Sequence, residues 1–188
     1  MTQYARPDND PTQTTNWVPS TGSSLYAMID EASTDDGDWV QVTDDMMGQT
    51  ETFKVDLGTV TDPVSSSDHK VTVRASDSVG FGSVTFTVKL KQGATTISNI
   101  TSFTLAGSVA NYTYTLPTAE ADSITSYGSL LLEISAEDTM MGAAVTKVYQ
   151  AFFECPDALA PAGRALITHS PAVPTAYSAA YSITKTVN

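Results

Sequence analysis

Along most of this chain apolar and polar residues alternate. At 71–76 (VTVRAS), Val71, Val73 and Ala75 share one side while Thr72, Arg74 and Ser76 take the other. That is the pattern of an antiparallel strand with one buried face. The clearest case is 83–91 (SVTFTVKLK), where Val84, Phe86, Val88 and Leu90 oppose Thr85, Thr87, Lys89 and Lys91. Further strands are expected from Trp39, Val40 and Val42, with Trp39 counted as core, and from 52–55, which Gly58 ends. After a turn at Gln92-Gly93-Ala94 come 95–105, with Ile97 and Phe103, and 111–116, with Tyr112, Tyr114 and Leu116. The last two are 130–136 and 144–154, the latter carrying Val145, Val148, Ala151, Phe152 and Phe153. Roughly seven or eight strands, with turn signals about every ten residues, imply an all-β, antiparallel, two-sheet sandwich of jelly-roll-like type.

Two stretches interrupt the alternation. Leu25, Met28 and Ile29 follow helical spacing, and Ser23 or Ser24 is placed to cap them. Pro117-Thr118 opens a second short helix with Glu120 and Asp122 in its first turn, and Tyr127-Gly128 closes it. Residues 1–16 are polar, contain Pro7 and Pro11 and show no period, so they read as an extended N-terminal arm. Residues 17–157 form the sandwich. Residues 158–188 hold eight Ala, three Pro, Arg164 and Lys185 but no acid, and they read as a second arm. That arm is too apolar for a solvated linker and too short for a core of its own. Its Tyr177, Tyr181 and Ile183, with Arg164 and Lys185, are the candidate partner contacts, and Trp17 is a further one.

Composition changes this picture in one respect. The formal charge is -12, yet ten carboxylates fall between Asp30 and Asp62, where Lys54 is the only base. A chain so poor in clustered Lys and Arg does not wrap nucleic acid. No run approaches the roughly 18 apolar residues that a membrane helix requires, and the first ten residues lack the features of a secretory leader, so membrane insertion and export are not expected. With 28 Thr and 20 Ser, the polar surface is largely hydroxylic.

Candidate chemistry is thin. Asp35, Asp36 and Asp38 are weak Ca2+ candidates, since carboxylate oxygens suit that ion, but their spacing does not match an EF-hand loop. The simpler reading is a solvated acidic loop. Cys155 cannot form an intramolecular disulfide and reads as a small hydrophobe. His69 reads as a surface or edge residue, and His169 lies far from any cysteine cluster, so zinc is not expected. Asn99 and Asn111 stand in glycosylation sequons, read as chance in a Thr-rich chain. No nucleophile, phosphate or dinucleotide motif occurs, so neither an enzyme nor a cofactor is expected. Trp17, Trp39 and the tyrosines leave a sugar-stacking platform open.

The phrases Trp17-Val18-Pro19-Ser20-Thr21-Gly22, Leu25-Tyr26-Ala27-Met28-Ile29-Asp30-Glu31 and Asp35-Asp36-Gly37-Asp38-Trp39-Val40, with Arg6-Pro7-Asp8, Val71-Thr72-Val73-Arg74 and the runs 84–93 and 120–127, resemble small virion proteins of tailed bacteriophages. The resemblance covers roughly 5–157, rests on structural and turn-forming motifs, and implies no catalytic residues. It implies jelly-roll modules that decorate or cement a head or sit in a fibre. The expectation is thus a capsid decoration protein in a virion assembled in the bacterial cytoplasm. It would bind the major capsid protein or other virion subunits as a homo-oligomer, with a trimer favoured. The alternative is a carbohydrate- or host-binding module on a fibre or head surface.

Overall fold

A computed structural model describes residues 1–44, 48–78, 84–101, 103–139 and 144–158. The strands there are β1 (Thr2–Ala5), β2 (Pro7–Asn9), β3 (Val18–Pro19), β4 (Val40–Asp44), β5 (Thr50–Leu57), β6 (Lys70–Ser78), β7 (Val84–Gln92), β8 (Thr95–Ile100), β9 (Ala110–Thr115), β10 (Leu130–Asp138) and β11 (Ala144–Pro156). One sheet runs β3-β4-β11-β6-β9, with β1 also on β11; the other runs β2-β5-β10-β7-β8. These strands pair antiparallel throughout. The chain is an all-β, jelly-roll-like sandwich.

The alternation seen in the sequence is what closes it. Val71, Val73, Val84, Phe86, Val88, Leu90, Phe53 and Val55 are all 9% exposed or less and meet between the sheets. Burying one such side chain contributes about 1.5–3 kcal/mol, so the two inner faces supply the main drive to fold. Cys155 is fully buried among them; burial pushes its thiol up to about 11 and keeps it protonated.

Three expectations need correction. The two short helices shrink to a 3-10 turn at Tyr26–Met28 and one helical turn at Thr118–Ala121. The first has too few residues to offset helix nucleation; its amides at Leu25 and Tyr26 are instead held by Asp10 at 2.8 Å each. The stretch 1–16 is extended but does not stand off. Its β1 pairs with β11, and its β2 pairs with β5, so the N-terminus ties both sheets together, with Ala5 and Pro7 turned inward. Finally, His69 is buried and not at the surface, its two ring nitrogens satisfied by the Ser67 carbonyl and the Tyr127 hydroxyl.

Strand β11 is the organising element of the first sheet. Along one edge it carries β4 as far as Val148 and β1 from Phe153 onward. The gap between them is filled by the chain at Ile29, whose carbonyl accepts the Ala151 amide at 3.0 Å. On the β6 side the register shifts between Val148 and Gln150. This bulge turns both Tyr149 and Gln150 away from the core, on the same side as Phe152.

Candidate functional site

The outer face of the first sheet gathers the aromatic side chains that the core does not use. Tyr4 is 45% exposed and meets the half-buried Phe152 edge to face, with ring centroids 5.7 Å apart. The Arg6 guanidinium lies over the Tyr4 ring, 5.1 Å from its centroid. These three form one end of an open cavity of about 330 Å³. Gln150 and Asn111 line it from β11 and β9, and Ala32, Ser33 and Thr34 form a further wall segment. The cavity therefore crosses the sheet from β1 to β9. It combines an aromatic pair with amide and hydroxyl groups, and among the described residues no carboxylate lines it.

The wall segment is held by several fixed contacts. Glu31 offers its backbone carbonyl to Gln150 Nε2 at 2.6 Å and to Arg6 Nε at 3.2 Å. Asp36 takes a two-pronged contact from Arg74, Nε at 2.6 Å and Nη2 at 2.7 Å. Arg74 Nη1 also donates to Asn111 Oδ1 at 3.1 Å, which fixes the amide that faces the cavity. Behind the wall, the carboxyl groups of Glu31 and Asp38 come together, with Glu31 Oε2 and Asp38 Oδ1 shut off from solvent. Burial, reinforced by the charges of Asp38, Asp30 and Asp35, pushes Glu31 up to about 7. Asp38 is raised as well, by burial first and then by Asp35. Burial and repulsion from neighbouring carboxylates thus raise both carboxyl groups together.

A second aromatic group lies on the same face. Trp39 is half-buried, with Lys147 Nζ 4.0 Å above its ring and Tyr149 beside it at 6.2 Å. Its indole nitrogen donates to Gln41 Oε1 at 3.0 Å. Trp39 is thus not a core residue. Val40 and Val42 take the inner positions of β4, and period-two alternation sends Trp39 outward.

Trp17, expected to meet a partner, is 2% exposed and packs on Phe53 at 4.7 Å. Its side chain belongs to the sandwich. The Ca2+ candidates do not converge: Asp35 Oδ1 accepts the Gly37 amide at 2.7 Å, Asp36 is taken by Arg74, and Asp38 turns to Glu31. Among the described residues no group of three or more His, Cys, Asp or Glu is arranged to hold a metal ion. Arg164, Tyr177, Tyr181, Ile183 and Lys185 lie outside the described residues, as does His169. The residues that line the cavity were missed in the sequence. Tyr4 and Arg6 sat in a stretch without period, and Phe152 read as one more apolar position of its strand.

No family model matches this chain, and no curated protein matches it. Among solved structures it is similar to the apo form of a cyclase from Fischerella sp., at 13% identity over 84% of each chain, with a TM-score of 0.50. It is also similar to the xylan-binding module CBM15, at 9% identity over 85% of this chain and 99% of that one, TM-score 0.44. A third is TmCBM61 in complex with beta-1,4-galactotriose, at 9% identity over 65% and 73%, TM-score 0.39. At such identities the likeness concerns the sandwich fold alone.

Proposed function

We propose that this chain is a non-catalytic carbohydrate-binding β-sandwich module. The observation that carries the reading is the Tyr4–Phe152 pair, which borders an open cavity lined by amides and hydroxyls on a sheet face. A sugar ring presents apolar C–H faces and a rim of hydroxyls, so it needs a ring to lie against and donors and acceptors around it. Tyr4 and Phe152 provide the first; Asn111, Gln150, Ser33 and Thr34 provide the second. The cavity also has the size of a small-ligand site, about 300–1,000 Å³. Support comes from the composition of this face and not from any neighbour's ligand.

The test is a glycan array followed by calorimetry on the best-bound sugar. Tyr4→Ala and Phe152→Ala should each weaken binding at least tenfold while thermal unfolding remains cooperative. An array without a hit, or affinities unchanged in both variants, would reject the reading.

The second proposal is the virion role, with capsid or other virion subunits as partners and a trimer as the assembly. It rests on the sequence resemblance of residues 5–157. The two are compatible, because a decoration domain can display a sugar-binding face. Purified protein added to undecorated heads would bind them if the virion proposal is right and would remain in the supernatant if it is wrong.

A further inference from the structure

We infer that the cavity on the first sheet selects acidic sugars, with Arg6 reading a uronate carboxylate; this rests on the carbohydrate reading above. In a chain with 21 acids and nine bases, most cations of the described residues are engaged by carboxylates. Lys54, Lys89 and Lys91 all reach Glu133, Lys70 reaches Glu154, and Arg74 reaches Asp36. Among the described residues, Arg6 and Lys147 have no acid partner. Both lie over aromatic rings on the same outer sheet face.

Arg6 is the one that lines the cavity, and among the described residues it is the only charged one to do so. Its Nε is spent on the Glu31 carbonyl, which orients the guanidinium. Its two terminal nitrogens make no hydrogen bond among the described residues. A planar pair of N–H donors matches a carboxylate in two-pronged geometry, and the guanidinium is seated over the Tyr4 ring. Asn111 adds to the match. Its Oδ1 is occupied by Arg74, which leaves its Nδ2 as a donor beside the cavity. Donors thus outnumber fixed acceptors here, in a chain whose overall charge repels anions. A neutral sugar would leave the Arg6 fork without a charged partner, whereas a uronate would fill it.

The experiment compares trigalacturonic acid with its fully methyl-esterified form, which keeps the backbone and removes the charge. Calorimetry is run on the whole chain. Wild type should bind the acid at least tenfold more tightly than the ester. Arg6→Gln should abolish that preference, and Arg6→Lys, which keeps the charge without the fork, should retain part of it. Asn111→Ala should reduce the preference while leaving the Arg6–Glu31 contact and the two-pronged Arg74–Asp36 pair in place. Equal binding of acid and ester, or a preference that survives Arg6→Gln, overturns the inference and leaves the carbohydrate reading standing. No binding of either sugar together with an empty glycan array overturns both.

Discussion

His69 Nε2 lies 2.7 Å from Tyr127 Oη, and the imidazole is fully enclosed. His69 Nδ1 is 3.0 Å from the Ser67 carbonyl, which can only accept, so Nδ1 carries the proton and Nε2 accepts from the tyrosine. Phe153 and Tyr127 flank the ring at centroid distances of 5.8 Å each. The pair closes one end of the core, where β6 begins and the 116–129 connection crosses over.

Tyr127→Phe leaves the Nε2 acceptor buried without a donor. Stability should fall by about 1–3 kcal/mol, measured by urea unfolding. Burial also lowers the His69 pKa from its ordinary value. The folded state therefore resists protonation, and the stability this group contributes is complete above about pH 6.5 and lost as pH falls below it. His69→Gln should flatten that acid limb of the stability curve.

Glu31 works in the opposite direction. Its folded pKa, about 7, stands above the ordinary 4.5, so its contribution is complete below about pH 4.5 and lost as pH rises through 7. Glu31→Gln removes the charge and keeps a group that can bond to Asp38. It should gain on the order of 1 kcal/mol at pH 8 relative to wild type and little at pH 5. A pair of thermal melts at these two values checks it; an equal shift at both would count against the raised pKa of Glu31.

Glu133 is the hub of the outer face of the second sheet. Lys89 and Lys91 donate to it at 2.8 and 3.0 Å, and Lys54 stands at 3.6 Å. Burial alone would raise its pKa, but the two hydrogen-bonded ammonium groups outweigh this and hold it at about 2. Its stabilisation is thus complete above about pH 4.5 and lost as pH falls toward 2. Glu133→Gln should cost about 2 kcal/mol at pH 7, and the cost should vanish near pH 2 in acid titration followed by circular dichroism.

Trp17 carries a different signature, because its indole nitrogen is buried and has no hydrogen-bond partner among the described residues. Trp17→Phe keeps most of the packing on Phe53 and removes the unpaired donor. It should change stability by less than about 1 kcal/mol. Trp17→Ala, which opens a cavity, should cost about 3–5 kcal/mol. Denaturant midpoints of the two variants separate the effects. A large loss in Trp17→Phe would mean that the N–H is satisfied after all.

The period-two stretches determined the strand content by themselves. Val84, Phe86, Val88 and Leu90 face inward because every second side chain of a strand shares a face, and only one face of each sheet can leave water. The acidic composition and the lack of catalytic motifs were equally plain. Tertiary structure alone decided the rest. Residues 2–9 lack a period because each short strand offers few inward positions, yet pairing with β11 and β5 makes them sheet. His69 looks like a polar strand start, and only Tyr127, fifty-eight positions away, makes its burial affordable. The same holds for the candidate site. Tyr4 and Phe152 are far apart along the chain and diagonal across β1 and β11, while a bulge beside Gln150 sets which side chains join them. Local pattern determines which side of a strand faces water; which strands lie side by side, and hence which outward side chains form a surface, depends on long-range pairing that local pattern does not encode.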